Sequence, residues 1–152
     1  MTELKRNNIA RIISVFALTV FSISLSGQSI NLIGYQRQKV EAVMKEMECT
    51  VETIRPFQNG TMLWYNDAKM PVSYIYLIGD SDNTCYGFSI AIQNKYKKFM
   101  DAFIDHLNDS ENTTKVNGSK WVEKTSQGTF EWTLLTPKDS DSQMLSVKPL
   151  RD

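Results

Sequence analysis

A chain of 152 residues is long enough for one domain with a hydrophobic core, but too short for several. Its 17 basic and 17 acidic side chains cancel at pH 7, which gives no reason to expect nucleic acid as a partner. Zinc, dinucleotide and phosphate-binding motifs are absent from the sequence, so neither a metal nor an organic cofactor is expected.

The N-terminal 27 residues have the layout of a secretory signal peptide. A basic start precedes an uncharged, mostly apolar stretch over residues 12–25, and small side chains suited to signal peptidase follow. The basic residues are Lys5, Arg6 and Arg11, and the small ones are Ser24, Ser26 and Gly27. The sequence therefore predicts a periplasmic or secreted protein, with a signal peptide over 1–27 and a single domain over 28–152. In layout and size it resembles small exported bacterial proteins.

An uncleaved membrane anchor is the alternative for this segment. No charged side chain occurs from residue 12 through residue 35, a span long enough to cross a bilayer. Polar side chains interrupt the second half of that span, which favours cleavage. Cleavage removes three basic side chains and one acidic side chain, and leaves a net charge of −2 on the mature domain. Contact with a membrane is expected only if the leader is retained.

A first helix is predicted over residues 34–48. Val40, Val43, Met44 and Met47 recur there at helical spacing, with charged side chains around them. The apolar side of this helix is expected to face the core.

The two cysteines of the chain, Cys49 and Cys85, are predicted to form a disulfide. In an oxidising compartment an isolated pair is most often bonded. A reactive thiol is the alternative, but the sequence has no Cys-x-x-Cys motif and a single histidine to serve as a base.

Four strands are predicted to follow the first helix. Asn59-Gly60 predicts a hairpin between the first two strands, because both central positions of a type I′ turn need positive φ. The third strand is apolar on both faces, which is typical of a central strand. The four segments are 49–57, 61–65, 72–78 and 84–93.

A second helix is predicted from a cap at Asn94, because a continuous apolar stripe runs through residues 96–107. The polar segment 110–120 is predicted to be a loop. A short edge strand is predicted over 144–150.

The remaining segment, residues 121–136, is predicted to form another hairpin around Gln127-Gly128. That register places Lys124 opposite Glu131 on one face and Glu123 beside Trp132 on the other. The predicted order is therefore α-β-β-β-β-α-β-β, with a possible extra edge strand. A mainly antiparallel sheet with two main helices on one face makes an α+β two-layer sandwich.

Aromatic side chains on the strands are the candidate ligand contacts. Trp64, Tyr74 and Tyr76 concentrate there, and a sheet face of Tyr and Trp can bind a peptide or a sugar. Packing in the core is the alternative role. Lys97 and Lys98 lie near the N-terminus of the second helix, against its dipole, which either a partner surface or a solvated face would explain.

These patterns predict an exported, noncatalytic binding or interaction domain of the bacterial envelope. Two helices leave part of the sheet uncovered. An envelope protein, a peptide or sugar ligand, or a second copy of the chain in a homodimer is expected there.

The alternative function is a small exported hydrolase that uses Asp80, Asp82 or His106. The first two residues belong to a Gly-Asp-Ser-Asp turn sequence, and His106 is the single histidine. Acid–base catalysis needs paired groups, and the spacing of these residues in the sequence does not pair them.

Overall fold

The computed structural model describes residues 30–150, which form one antiparallel sheet of eight strands with two short α-helices. The α+β class predicted from the sequence is confirmed, whereas the predicted order of elements is not, because four strands follow the second helix. In chain order the elements are α1 (Arg37–Glu46), β1 (Thr50–Phe57), β2 (Gly60–Asn66), β3 (Val72–Gly79), β4 (Cys85–Gln93), a 3₁₀ helix (Asn94–Tyr96), α2 (Lys97–Asp109), β5 (Thr113–Asn117), β6 (Lys120–Thr125), β7 (Gly128–Leu135) and β8 (Ser142–Pro149).

The predicted signal peptide, residues 1–27, lies outside the described residues. Residues 30–33, which precede α1, belong to the folded domain: Ile30, Leu32 and Ile33 are buried. The Tyr76 hydroxyl donates a hydrogen bond of 2.9 Å to the carbonyl oxygen of Ile30. Within residues 30–150, no helix is long and apolar enough to cross a membrane.

The sheet consists of two halves that meet at its centre. Its strand order is β1-β2-β3-β4-β8-β7-β6-β5. Each half is therefore a helix followed by a four-stranded meander, and the last strand of one half pairs with the last strand of the other. Ile90 opposes Leu145 and Ala91 opposes Met144 at this junction. The strands at the two edges are β1 and β5.

One face of the sheet carries the main hydrophobic core. Successive side chains of a strand point to opposite faces, so alternate apolar residues of β2, β3, β4, β6, β7 and β8 share this face. Each helix buries one apolar stripe against them. The helix residues in the core are Val40, Val43, Met44, Met100, Phe103 and Leu107, and the largest fully buried strand residues are Trp121, Tyr74, Tyr76, Phe88, Leu63, Ile78, Ile90, Ile92 and Leu145.

Two strands differ from the sequence prediction. The segment predicted as a loop contains β5, whose residues are mostly exposed. It carries no apolar alternation, and it is held instead by pairing with β6 and by contacts with α2. The strand predicted at an edge is β8, which lies between β4 and β7 near the centre of the sheet.

The C-terminal hairpin has a register two residues away from the predicted one. Trp121 opposes Trp132 and Lys124 opposes Thr129, so the loop is Ser126-Gln127. Gly128, with φ of 141°, is the first residue of the return strand. Because side chains alternate with a period of two, this shift leaves every residue on its predicted face.

The first hairpin was predicted at the right place, but its loop lies one residue earlier. Phe57 opposes Gly60, so Gln58 and Asn59 form the loop, and Gln58 has the positive φ, 50°. Gly60 is needed for a different reason. A Cβ atom at this position would lie 2.1 Å from the carbonyl oxygen of Ile78 in the neighbouring strand.

The predicted disulfide is not present, because Cys49 and Cys85 lie at opposite ends of α1. Both thiols are unbonded. The backbone of Cys85 is hydrogen-bonded to Gly34 and Tyr35, just before α1, whereas Cys49 follows its C-terminus. A helix of 10 residues spans about 15 Å. Bonded cysteines need Cα atoms within about 7 Å.

Gly60→Ala should lower the free energy of unfolding by about 1–3 kcal/mol, because the new methyl group collides with the backbone of β3. Urea denaturation would measure this. Gly118→Ala is the control, since its Cβ would meet nothing within 4 Å, and it should change stability by less than about 0.5 kcal/mol. Equal stabilities of the two variants would contradict the close approach of β2 and β3.

Candidate functional site: the open face of the sheet

The second face of the sheet carries a separate apolar patch. Met62 on β2, Ile75 on β3 and Ala91 on β4 are buried there, at 5%, 6% and 8% exposure. Four partly buried side chains pack against them: Phe57, Trp64, Leu77 and Met144. These seven residues are called the open-face patch below. All of them lie on strands, and no helix residue within 30–150 belongs to this cluster.

A cleft of about 770 Å³ lies over the open-face patch. This volume is within the range of ordinary ligand sites, about 300–1,000 Å³. Strands β2, β3, β4 and β8 form its floor. The loop around Asp67 and Met70 lines one side, and the 3₁₀ helix with Ser140 lines another. The cleft is therefore a groove across the first half of the sheet and the central junction.

Serines on β3, β4 and β8, together with Asn66 and Gln93, form the polar part of the floor. Ser89 on β4 and Ser146 on β8 oppose each other at the junction, and their hydroxyl oxygens are 3.2 Å apart. Trp64 brings another polar group, the indole N–H. Its nitrogen is buried and has no hydrogen-bond partner among the described residues. A buried donor without an acceptor costs about 1–3 kcal/mol.

Charged groups stand at the rim of the cleft rather than in its floor. Asp67 is the only carboxylate among the described lining residues, and its Oδ1 accepts backbone hydrogen bonds from Lys69 at 2.8 Å and Met70 at 3.0 Å. On the other side, the ammonium group of Lys95 lies 5.0 Å from the centre of the Tyr96 ring. Arg55 on β1 is exposed at the far rim.

The other half of the open face is charged. Glu131 on β7 lies between two lysines, with its carboxylate 3.1 Å from Lys148 Nζ and 3.6 Å from Lys120 Nζ. The hydrogen bond from Lys148 is the main cause that lowers the pKa of Glu131 below its ordinary value of 4.5. The glutamate side chain is 17% exposed. The open face is thus apolar mainly on β2–β4 and at Met144 of β8, and it carries the ion pairs of Glu131 on β6–β8, with Ser89 and Ser146 between the two regions.

The predicted aromatic contacts lie on different faces of the sheet. Trp64 belongs to the open-face patch, whereas Tyr74 and Tyr76 have no exposed surface and lie in the main core. Tyr76 stacks on Phe88 with ring centres 4.9 Å apart. Burial raises the pKa of both tyrosine hydroxyls above the ordinary value of 10.0. Of these three residues, only Trp64 is placed to meet a ligand in the cleft.

The predicted lysine contacts lie on the surface of α2, away from the cleft lining. Lys97 Nζ is 2.8 Å from Asp101 one turn later, which gives this lysine an ion-pair partner on its own helix. Lys98 is exposed. Asn94 does not cap α2 as predicted. Its side-chain amide donates to the carbonyl oxygen of Ser140, and α2 begins after Tyr96 without a side-chain cap.

The residues of the hydrolase hypothesis have structural roles or lie on another element. Asp82 Oδ1 accepts the backbone N–H of Thr84 at 3.0 Å within the β3–β4 turn, and Asp80 is exposed in the same turn. His106 lies on α2, where burial lowers its pKa below the ordinary value of 6.5.

Burial raises the pKa of both cysteine thiols to about 11. No group of three or more His, Cys, Asp or Glu side chains within the described part of the chain could hold a metal ion.

Six residues of the open-face patch were not predicted from the sequence as ligand contacts: Phe57, Met62, Ile75, Leu77, Ala91 and Met144. For all but Phe57 the signal is present in the strand alternation, because each lies at an odd spacing from a core residue of its strand. The signal was missed because both faces of these strands are apolar, and the pattern then does not say which face a helix covers.

No family model, no curated protein and no solved structure matches this chain.

Trp64→Phe should leave the free energy of unfolding unchanged within about 0.5 kcal/mol or raise it, because the variant removes a buried N–H that has no acceptor. Trp132→Phe is the matched control. Trp132 Nε1 donates to Glu123 Oε2 at 2.9 Å, so its loss should cost about 1–3 kcal/mol. Urea denaturation would compare the two variants, and a larger loss for Trp64→Phe would contradict the unpartnered indole.

The ion pairs of Glu131 should make stability depend on pH in the acid range. The folded-state pKa of this carboxyl is lowered, so its contribution is complete above the ordinary value of 4.5 and is lost as the pH falls through the folded value. Glu131→Gln should flatten the acid side of a plot of unfolding free energy against pH. Lys148→Gln should also flatten the acid side of this plot. Unchanged profiles for both variants would contradict the lowered pKa of Glu131.

Proposed function

We propose that this protein is an exported, noncatalytic binding domain whose cleft takes an apolar segment of another polypeptide in the bacterial envelope. The observation that carries the proposal is the open-face patch, an apolar area on a sheet face that no helix of residues 30–150 covers. Its three central residues are only 5–8% exposed, so the apolar surface open to a ligand belongs mainly to the four partly buried side chains around them. Covering this surface by an apolar ligand is favourable.

The composition of the lining favours an apolar polypeptide over a sugar. Three methionines line the cleft: Met62, Met70 and Met144. Methionine side chains are flexible and polarisable, so they adapt to varied apolar shapes, as promiscuous peptide-binding surfaces do. A sugar needs several hydrogen-bonding groups in the floor. Here several polar groups of the floor already have a partner within the protein: Ser89 and Ser146 are within hydrogen-bond distance of each other, and the Ser73 hydroxyl donates to Asn66 Oδ1 at 2.7 Å.

The titratable groups of the cleft support binding rather than catalysis. The charged residues of the described lining are Arg55, Asp67 and Lys95, all at the rim. Asp67 is engaged by two backbone N–H groups. Acid–base catalysis needs a group held near the reacting atom with a suitable pKa, and nucleophilic catalysis needs an activated side chain.

The proposal treats the domain as two layers, with the helices on one face of the sheet and the binding surface on the other. The split of the buried residues into a helix-bearing cluster and a strand-only cluster supports this arrangement. Export rests on the signal-peptide pattern of residues 1–27. N-terminal sequencing of protein recovered from the periplasm or medium would test it.

A fluorescein-labelled extended peptide with leucine at alternate positions should bind the full chain, and its binding should depend on the open-face patch. Met144→Glu places a charge in the cleft and should weaken binding at least about tenfold, since burying an unpaired charge is costly. Leu135→Glu is the matched control. Leu135 opposes Met144 across the β7–β8 pair but does not line the cleft, so this variant should bind within about twofold of the wild type.

Fluorescence anisotropy would measure both affinities, and near-ultraviolet circular dichroism would verify that the variants are folded. Equal weakening by the two substitutions, or equal binding of a control peptide with serine in place of leucine, would contradict the proposed site. Displacement of the peptide by a soluble oligosaccharide would assign the cleft to sugars instead.

A further inference from the structure

The edge of the sheet at β1 has features of a self-association surface, independent of what the cleft binds. Val51 and Ile54 are 56% and 51% exposed, on a strand with one free edge. Natural proteins usually protect such edges with charges, proline or a β-bulge, because an exposed apolar edge invites pairing with another strand. β1 carries Glu52, Arg55 and Pro56 and an irregularity between Val51 and Thr53, and its exposed apolar side chains lie on the helix-bearing face beside these features. The opposite edge, β5, is short and largely polar, with Val116 as its exposed apolar residue.

The backbone of Ile54 is the part of β1 that faces the free edge. Phe57 and Gly60 close a two-residue loop and form a hydrogen-bonded pair. Bonded and non-bonded pairs alternate along an antiparallel ladder, so Ile54, opposite Leu63, is a non-bonded position of the β1–β2 pair. Its N–H and C=O therefore point away from β2. Pro56 also points outward but has no N–H to donate.

We propose that two copies of this chain associate through β1, antiparallel, about a two-fold axis at Ile54. In that register the N–H of Ile54 donates to the carbonyl oxygen of Ile54 in the second copy, and the second copy returns the same bond. The two isoleucine side chains then lie opposite each other on the helix-bearing face. An isologous pair needs one surface that matches itself, and an antiparallel edge centred on one residue meets that requirement.

The charges of β1 are compatible with this pairing. Arg55 opposes Thr53 of the second copy, and the irregularity between Val51 and Thr53 interrupts the regular register before Glu52. No two like charges are directly opposite in the regular part. The predicted mature domain has a net charge of only −2, so the two copies do not repel each other strongly.

Apolar side chains next to β1 give the association its driving force. A groove of about 410 Å³ lies between α1 and β1, with Val51, Ile54 and the buried Tyr65 on its strand side and Glu41, Lys45 and Glu48 on its helix side. The short helix α1 leaves Val51 and Ile54 exposed. In the paired arrangement the two grooves adjoin, and the Ile54 side chains are removed from water. Pro56 limits the number of backbone bonds, so the dimer belongs to the weak, concentration-dependent class.

The pairing also brings the two clefts together. A two-fold axis perpendicular to the sheet keeps both open faces on the same side of the dimer. Arg55 and Phe57 line the rim of the cleft nearest to β1, so each copy places these side chains beside the cleft of the other. The site described above then continues across the dimer.

Sedimentation equilibrium of the full chain over a concentration series would test the inference. The wild type should show a monomer–dimer equilibrium, and Ile54→Lys should raise its dissociation constant at least about tenfold. Val116→Lys, the same substitution on the other edge strand, should leave the constant within about twofold. A monomeric wild type, a dimer that survives Ile54→Lys, or equal effects of the two variants would overturn the proposal.

A second pair of variants tests the same pairing without introducing a charge into the edge strand. Ile54→Cys should be cross-linked to a covalent dimer by a short bismaleimide, and Val116→Cys should not. Cys49 is half-buried and Cys85 is buried, with the pKa of each raised to about 11, so the native thiols react slowly near pH 7. Equal cross-linking of the two variants would count against pairing at β1.

Discussion

The antiparallel pairing of β4 with β8 is the constraint on which the rest of this structure depends. It joins six residue pairs, from Phe88 opposite Val147 to Gln93 opposite Ser142, across the centre of the sheet. On one face it brings Ile90 and Leu145 into the main core, and on the other it brings Ala91 beside Met144 under the cleft. The core and the candidate site are therefore built on the two sides of one junction.

The open face is divided into an apolar and a charged half, and neither half is covered by a helix of residues 30–150. The two helices have 10 and 13 residues, and their apolar stripes are used on the core face. On β6–β8 the open face carries Glu131 and its lysines, which water solvates and which need no cover. On β2–β4 it carries apolar side chains, and there the cleft lies. The proposed binding site is the part of the sheet where apolar side chains are not covered by a helix of residues 30–150.

Much of the fold could be predicted from alternation and turn residues. The strands β1 to β4, both helices and the positions of the two predicted hairpins follow from local patterns, since an apolar stripe or a cluster of turn residues acts within a few residues. The loop residues of both hairpins differ from the prediction. The position of β8 could not be predicted this way, because its pairing with β4 joins residues 57 apart, such as Ser89 and Ser146. Likewise β5 has no alternation to recognise, since it is exposed on an edge. For the site, Trp64 was identified, but Tyr74 and Tyr76 were not separated from it, because a strand with two apolar faces does not reveal which face is covered.

The distance along the chain between β4 and β8 has a consequence for how the molecule is made. A ribosome or an export channel delivers the N-terminal half first, and its meander β1–β4 pairs between neighbours in sequence. Until the last strand emerges, β4 has an unpaired edge whose residues include Ile90 and Ile92, which are fully covered in the finished fold. Edges of this kind attract other chains. During synthesis, the half-sheet β1–β4 is therefore most prone to pair with other chains in the interval before β8 (Ser142–Pro149) emerges and covers the edge of β4.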